Sequence, residues 1–331
     1  MTTYQRIVLA SRPRGAVLPE NFRLEQAEIP EPGDGQVLVR NDYLSLDPYM
    51  RGRMSEAKSY AAAQALGDTM IGGTAGEVVE SKNERFAVGD KVVGMLGWAE
   101  MGVSDGAMLR RVDTSVIPLS AYLGVLGMPG MTAWYGLNQI MRPVAGETIL
   151  VSAASGAVGS AVGQLAKRQG CRAIGIAGGP EKCAYVVNEL GFDACIDYKA
   201  GNLAPDLAAA APDGIDALFE NVGGAGFDAA LPLMNPFGRI ALCGLIAGYN
   251  GDELAVRNMR YLLTSRLSLR GFIVTEHLDL WPQGLGELGA LVASGQLKYR
   301  ETVAQGLAGA PDAFIGLLAG RNFGKQLVKL S

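Results

Sequence analysis

The first third of the chain alternates short apolar runs with turn-forming residues and shows no helical periodicity. The runs cover residues 6–10, 22–28, 36–43, 70–80 and 88–95, with glycines where a strand would bend. This alternation is typical of strands that pack one face on a core. We therefore expect a β-rich domain over roughly residues 1–120. Within it, the Ala-rich and polar residues 55–66 are interpreted as a loop or a short helix.

The pattern then changes to a regular alternation of strand-like and helix-like segments. Helical spacing begins at residues 122–126 and 132–140. Predicted strands follow at residues 149–151, 172–176, 194–196, 217–220 and 239–243, and predicted helices at 157–169, 181–190 and 227–234. This order is typical of a doubly wound parallel sheet. Residues 310–318 predict one more helix, and residues 325–330 predict a closing strand that returns to the first domain.

The most informative stretch joins the first of these strands to the helix after it. Residues 148–152 are apolar and β-branched, and Ala154-Ser-Gly156-Ala-Val-Gly159 fits the dinucleotide-binding fingerprint with alanine at the first glycine position. Gly156 would let the backbone approach a pyrophosphate, and Gly159 would let the helix pack closely on the strand. Small residues at such a turn are common, so the motif alone is a weak signal. The second strand, at βαβ distance, makes this a predicted nucleotide-binding unit.

The end of that second strand indicates which dinucleotide is selected. An NAD-selective site usually has an acidic side chain there, which bonds the ribose diol. This strand instead ends in Ala177-Gly-Gly-Pro180, so no carboxylate would repel a 2′-phosphate. Lys182 follows within one turn, although Pro180-Glu-Lys182 is also an ordinary helix start and a lone lysine is usually solvated. The sequence therefore favours NADPH and leaves both interpretations of Lys182 open.

Composition and charge argue against several other classes of protein. The chain has 331 residues, a formal net charge of −4 and no long basic run, which argues against a nucleic-acid partner. No apolar run is long enough to span a bilayer, and the N-terminus lacks the apolar region of a signal peptide. The 4 cysteines include no C-x-x-C pair, as expected of buried thiols in a reducing compartment. We expect a cytoplasmic protein that does not bind membranes.

Candidate metal ligands are too sparse for a zinc site. A catalytic zinc needs three protein ligands, mostly cysteine and histidine. The chain has a single histidine, His277, and none of its cysteines lies in the β-rich first domain. We interpret His277 as a surface-loop residue. The expectation is a metal-free protein in which O–H or N–H donors provide any electrophilic assistance.

Seven motifs along the chain resemble those of one enzyme family. They are Asp47-Pro-Tyr-Met-Arg51, Gly127-Met-Pro-Gly-Met-Thr-Ala133, Ala153-Ala-Ser-Gly-Ala-Val-Gly159, Gly191-Phe-Asp193 with Asp197-Tyr-Lys199, Glu220-Asn-Val-Gly-Gly224, Phe237-Gly-Arg-Ile240 with Cys243-Gly244, and Asn322-Phe-Gly-Lys325. They occur in the family's order and cover the chain nearly end to end. The chain thus resembles the zinc-independent medium-chain dehydrogenases/reductases. Its branch is that of leukotriene B4 12-hydroxydehydrogenase/prostaglandin reductase, the alkenal double-bond reductases and the curcumin reductases.

The resemblance implies a fold, a cofactor and an assembly. The fold is α/β, with a Rossmann doubly wound parallel sheet over residues 122–298. A β-rich GroES-like domain over residues 1–121 is completed by residues 299–331. NADPH is the implied cofactor, and residues 272–274 are the implied strand of a homodimer interface. The implied cofactor-binding residues are Gly156, Ala157, Val158, Gly159, Lys182, Tyr198, Asn221, Cys243, Gly244, Tyr249, Phe272, Ile273, Val274, Asn322, Met128 and Thr132.

The implied activity is reduction of the carbon–carbon double bond of a small hydrophobic enone or enal. Hydride would pass to the β-carbon, charge would develop on the carbonyl oxygen as an enolate, and a proton would then reach the α-carbon. Tyr49 and Tyr249 are the implied catalytic residues, although a tyrosine is more often a packing residue. Two alternatives remain open: a quinone oxidoreductase of the related branch, and a non-catalytic NADPH-binding protein.

Overall fold

The computed structural model describes residues Thr3–Leu330 and divides into two compact units. The first unit comprises the residues up to Gly124, the segment Tyr249–Gly251 and the residues from Glu301 onward. The second comprises Val125–Gly248 and Asp252–Arg300. The domain boundaries expected from the sequence, residues 1–121 with 299–331 and residues 122–298, stay predictions.

The strands and helices alternate much as the sequence predicts. The strands are β1 (Thr3–Leu9), β2 (Phe22–Glu28), β3 (Val37–Ser45), β4 (Thr74–Ser81), β5 (Lys91–Gly94), β6 (Met101–Ser104), β7 (Arg110–Arg111), β8 (Thr148–Val151), β9 (Arg172–Ala177), β10 (Ala194–Asp197), β11 (Ile215–Glu220), β12 (Met234–Leu242), β13 (Ser268–Gly271), β14 (Glu301–Gln305) and β15 (Lys325–Lys329). The helices are α1 (Tyr49–Arg53), α2 (Met128–Tyr135), α3 (Gly159–Arg168), α4 (Pro180–Asn188), α5 (Leu203–Ala210), α6 (Gly224–Ala230), α7 (Arg260–Thr264), α8 (Trp281–Ala293) and α9 (Ala310–Leu318). Residues 55–66 form a loop. Within Thr3–Leu330 no helix combines the length and apolar character needed to cross a membrane.

The first unit contains a two-stranded sheet and a seven-stranded sheet. β1 pairs with β2, and the larger sheet has the order β14-β15-β3-β4-β5-β7, with β6 also paired to β3. The predicted closing strand is confirmed, because β15 pairs antiparallel with β3, with Leu327 opposite Ser45. Its core contains a cluster of aromatic rings in which Trp98 stacks on Phe22 at 5.3 Å and meets Phe314 edge-on at 5.6 Å. Residues from both ends of the chain therefore share one core.

The second unit is a six-stranded parallel sheet in the order β10-β9-β8-β11-β12-β13. Every residue of β8 is buried, as expected of a central strand covered on both faces. The α/β architecture with a parallel Rossmann-type sheet and a separate β-rich domain is thus confirmed. Two of the motifs follow the carboxyl ends of β8 and β11. These ends lie next to each other because the two strands are paired in parallel.

One predicted strand is wrong. Residues 272–274 lie outside the sheet: β13 ends at Gly271, and Val274–Glu276 forms a 3₁₀ turn. The cause is the ring of Phe272, which lies 5.4 Å from the ring of Tyr135 and 6.2 Å from that of Phe219. This aromatic packing draws the chain inward, so the edge strand is the preceding segment.

Candidate cofactor and substrate sites

The turn between β8 and α3 has the geometry of a phosphate cradle. Ala153 adopts a left-handed φ of +49°, and Gly156 N donates to Ala153 O at 2.9 Å. A Cβ on Gly159 would lie 2.4 Å from Ala153 O, and one on Gly156 would lie 3.1 Å from the same atom. Only glycine therefore fits at Gly159, where α3 begins. The first turn of a helix leaves N–H groups without intrahelical partners, which suits the pyrophosphate of a dinucleotide.

The predicted helix start at Ala157 is corrected by two residues. Ala157 and Val158 belong to the turn, and α3 begins at Gly159 with Val158 as its preceding residue. The chain first makes the tight turn in which Gly156 N donates to Ala153 O, and the first i→i−4 bond then runs from Ser160 N to Gly156 O at 3.0 Å. Ala157 and Val158 consequently stay beside the cradle, where a bound phosphate would meet their backbone.

Lys182 lies next to a second positive charge beyond β9. Its half-buried side chain is on the first turn of α4. Burial lowers the pKa of Lys182, and the positive charge of Lys199 lowers it further. Lys199 Nζ also lies 5.8 Å from the ring centroid of Tyr198, whose side chain is 49% exposed. Two ammonium groups beside an accessible phenol could bind a dianion such as a 2′-phosphate.

Lys199 was missed as a site residue from the sequence. The signal was present, because Asp197-Tyr-Lys199 was recognised as a motif, but only Tyr198 was taken from it. The carboxylate of Asp197 accepts hydrogen bonds from Gly179 N at 2.7 Å and from Lys199 N at 2.9 Å. These bonds lower the pKa of Asp197 and join Gly179, the residue before α4, to the turn that carries Lys199. Asp197 therefore holds together the two segments that carry Lys182 and Lys199.

Asn221 is held in place at the ends of two neighbouring strands. Its backbone N donates to Ser152 Oγ at 2.7 Å, and its Nδ2 donates to Ser152 O at 2.8 Å. Oε1 of Glu220 accepts from Ser152 Oγ at 2.9 Å and from the backbone N of Val222 and Gly223 at 2.6 and 2.7 Å. Burial raises the pKa of Glu220 despite these donors. Glu220 was not predicted; an acid that ends a buried parallel strand was the available signal.

The loop after β12 is hydrogen-bonded to Glu220 and Asn221. Cys243 N and Gly244 N donate to Glu220 O at 2.8 and 3.2 Å, and Ile246 N donates to Asn221 O at 3.3 Å. Burial raises the pKa of Cys243 to about 12, and the Glu220 carboxyl contributes in the same direction. The thiol is therefore protonated at neutral pH and is no nucleophile. Asn221, Cys243 and Gly244 thus form one structural group in the second unit.

The remaining predicted residues of the second unit lie on α2 and after β13. Thr132 is buried on α2, and its Oγ1 donates to Met128 O at 2.8 Å. Met128, Phe272 and Ile273 are half-buried and Val274 is buried. Their predicted contact with the cofactor stays a prediction.

His277 is not the surface residue that the sequence suggested. Its imidazole is half-buried and stacks on the ring of Tyr135 at 4.3 Å and an interplanar angle of 12°. It packs there because the 3₁₀ turns around it follow the inward path of Phe272. Within residues 3–330, no cluster of three or more histidine, cysteine, aspartate or glutamate side chains is placed to hold a metal ion.

Tyr49, Tyr249 and Asn322 belong to the first unit. Tyr49 is half-buried in α1 and packs against the core cluster that contains Met50 and Phe314. Burial raises the pKa of Tyr49 far above its ordinary value, and the Asp47 carboxylate raises it further. Its phenol is therefore a neutral hydrogen-bond donor throughout the physiological range. Tyr249 is half-buried, and Asn322 donates from Nδ2 to Gly324 O at 2.8 Å.

Comparison with known proteins places this geometry in a family. The family described as "N-terminal domain of oxidoreductase" matches residues 5–112, and that described as "Zinc-binding dehydrogenase" matches residues 157–289. The chain is 47% identical to the NADPH-dependent curcumin reductase of Escherichia coli (strain K12), over 99% of this chain and 97% of that protein. The chain belongs to the zinc-independent medium-chain dehydrogenase/reductase family. The resemblance seen in the motifs is confirmed, and the chain is an oxidoreductase of this family.

Other members of the family support the same branch. The 2-alkenal reductase (NADP(+)-dependent) of Nicotiana tabacum is 44% identical over 92% of this chain and 90% of its own length. The crystal structure of CurA from Vibrio vulnificus in complex with NADPH is 48% identical, covers 99% of both chains and superposes with a TM-score of 0.95. The whole medium-chain fold is therefore shared with an NADPH-binding member of the family.

Proposed function

We propose that the protein uses NADPH to reduce the carbon–carbon double bond of α,β-unsaturated ketones and aldehydes. The observations that support the proposal are two neighbouring lysines, Lys182 and Lys199, in the same unit as the tight glycine turn after β8, and the half-buried phenol of Tyr49 in the other unit. The names of the relatives support it, since 2-alkenals are α,β-unsaturated aldehydes. The finer assignment of roles rests on the chemistry of this chain's own residues.

Cofactor selection is assigned to the cationic site. Lys182 and Lys199 bind the 2′-phosphate, and the accessible ring of Tyr198 lies beside them. The backbone of the Gly156–Gly159 turn receives the pyrophosphate, because nothing larger than hydrogen at Gly159 would leave that turn intact. When bound, NADPH supplies the hydride that the β-carbon receives.

The nicotinamide half is assigned to residues that are joined by hydrogen bonds. Asn221, Cys243 and Gly244 are fixed to one another by the hydrogen bonds of Glu220 and Ser152. We assign them, with Phe272–Val274, Met128, Thr132 and Asn322, to contacts along the cofactor. Rigid positioning serves catalysis because donor and acceptor carbons must be held in contact.

Stabilisation of the substrate oxygen is assigned to Tyr49 and Tyr249. As the enolate forms, negative charge accumulates on the carbonyl oxygen, and preorganised O–H donors stabilise it most once that charge has developed. The raised pKa of Tyr49 makes its hydroxyl a donor that keeps its proton. We therefore assign Tyr49 to hydrogen bonding of the oxygen rather than to transfer of a proton.

We also propose a homodimer that forms along β13. This strand lies at the end of the six-stranded sheet, and all four of its residues are exposed. Leu269 on β13 is 41% exposed, and nearby in sequence Leu263 is 80% exposed. An exposed edge strand with apolar side chains favours pairing with a second copy. Sedimentation of the wild type and of Leu269→Lys tests this, and a monomeric wild type at micromolar concentration contradicts it.

The proposed activity is tested by following NADPH oxidation with matched acceptors. An enone, an enal, a quinone and an allylic alcohol are each supplied with NADPH or NADH, and the products are identified. We expect saturated ketone or aldehyde, formed with NADPH. Turnover confined to quinones would make the protein a quinone oxidoreductase. Tight NADPH binding without any turnover would make it a non-catalytic binding protein.

A further inference from the structure

A buried ion pair joins the C-terminal return strand to the segment before Tyr49. Lys325 Nζ lies 2.8 Å from Asp47 Oδ1 and 2.6 Å from Leu46 O, and the two charged side chains are only 5% and 8% exposed. Ser45 Oγ donates to the other oxygen of Asp47. The carboxylate is thus held from both sides, by a cation on β15 and by a hydroxyl on β3.

A second acid, Glu301, lies near the same lysine. Glu301 on β14 lies opposite Lys325 in the parallel register of β14 and β15. Burial raises the pKa of Glu301, although a hydrogen bond from Ser120 and the charge of Lys325 oppose the shift. The direct ion-pair partner of Lys325 is Asp47, at 2.8 Å.

The ion pair acts on the first turn of the short helix α1. Met50 N donates to Asp47 O at 3.1 Å, and Arg51 N donates to Pro48 O at 3.1 Å. These bonds set the direction in which α1 leaves the sheet, and Tyr49 is its first residue. A shift of Asp47 would be transmitted through a single proline to the tyrosine ring.

We infer that the Lys325–Asp47 ion pair is a positioning element that sets the place of the Tyr49 hydroxyl against the substrate oxygen. The inference rests on the proposed function, specifically on the role assigned to Tyr49. A buried ion pair adds little net stability, because the cost of desolvation offsets the attraction between the charges. Its directional bonds instead fix geometry, and a misplacement of about 1 Å can cost on the order of a hundredfold in rate. Lys325 and Asp47 touch neither substrate nor cofactor in this role.

The experiment separates positioning from folding. Lys325→Met leaves the buried Asp47 carboxylate without its cation, and Asp47→Asn leaves the buried Lys325 ammonium without its anion. Each variant should therefore lower Tm by roughly 6 °C or more. The double variant Asp47→Asn/Lys325→Met removes both charges, and most of the loss in Tm should be recovered. If the pair positions Tyr49, kcat of the double variant with NADPH and a simple enone stays about tenfold or more below the wild type. KM for the enone should change less than kcat.

Three further variants separate positioning of Tyr49 from other effects of the substitutions. Lys325→Arg retains the charge and should keep Tm near that of the wild type, while its different reach lowers kcat. The matched control is Asp90→Asn/Arg111→Met, which removes a partly exposed pair of 2.9 Å between β7 and the residue before β5 and should leave kcat unchanged. In a Tyr49→Phe background, loss of the buried pair should lower kcat by less than about twofold, since its effect passes through the hydroxyl.

The opposing outcomes are distinct. Recovery of both Tm and kcat in the double variant would show that the pair only stabilises the fold, and the inference would fail. A full additional loss of kcat in the Tyr49→Phe background would also overturn it. An unchanged kcat in Tyr49→Phe alone would remove both the inference and the role of Tyr49. Reduction of the enone by the wild type would still stand in each of these cases, because it is measured separately.

Discussion

Replacement of Gly159 by alanine perturbs the proposed phosphate cradle most directly. The added Cβ would lie 2.4 Å from Ala153 O and 2.9 Å from Ala153 C, well inside van der Waals contact. These are backbone atoms of a turn fixed by the left-handed Ala153 and by the bond from Gly156 N, so no rotamer relieves the clash. Overpacking of this kind costs about 1–3 kcal/mol, which corresponds to a fall in Tm of about 2–10 °C.

The assay compares Tm and the NADPH dissociation constant across three glycine-to-alanine variants. Gly156→Ala creates a milder contact of 3.1 Å and should lose less stability and less affinity for NADPH. Gly286→Ala lies in α8 with nothing within 4 Å, so it should raise stability by about 0.5–1 kcal/mol and leave the dissociation constant unchanged. We expect Gly159→Ala to weaken NADPH binding by about tenfold or more, since the turn must open where the pyrophosphate binds. Wild-type NADPH affinity and wild-type Tm in Gly159→Ala would refute the proposal that this turn binds the pyrophosphate.

Four other predictions address cofactor selectivity, chemistry, stability and metal. Lys182→Ala should weaken NADPH binding about ten- to a hundredfold and NADH binding little, as measured by fluorescence titration, because one charge-assisted contact to phosphate is lost. Equal losses of affinity for both cofactors would remove Lys182 from the phosphate site. Lys199→Ala should act in the same direction. Tyr249→Phe should lower kcat for an enone about ten- to a hundredfold with NADPH affinity intact, and a change within about twofold would leave Tyr249 as a wall of the pocket. His277→Ala loses its stacking on Tyr135 and should cost about 0.5–1.5 kcal/mol in denaturant unfolding. Dialysis against a chelator should leave turnover unchanged, and stoichiometric zinc in the purified protein would contradict the metal-free expectation.

The sequence by itself determined the order and type of the main elements. Helix Ala310–Leu318 was predicted with its observed bounds, and strand β9 was predicted to within one residue at its end. The nucleotide-binding turn was also recognisable, since its glycines are adjacent in the chain. These features depend on local periodicity and on steric limits within a few residues, so the sequence carries them directly.

Only the tertiary structure decided which distant groups share an environment. The positive charge of Lys199 lowers the pKa of Lys182, burial raises the pKa of Glu220, and Asp47 meets a lysine 278 residues away. His277 is half-buried because its ring stacks on Tyr135. Electrostatic and desolvation effects depend on distance in space and on the surrounding medium, neither of which is encoded in the spacing along the chain.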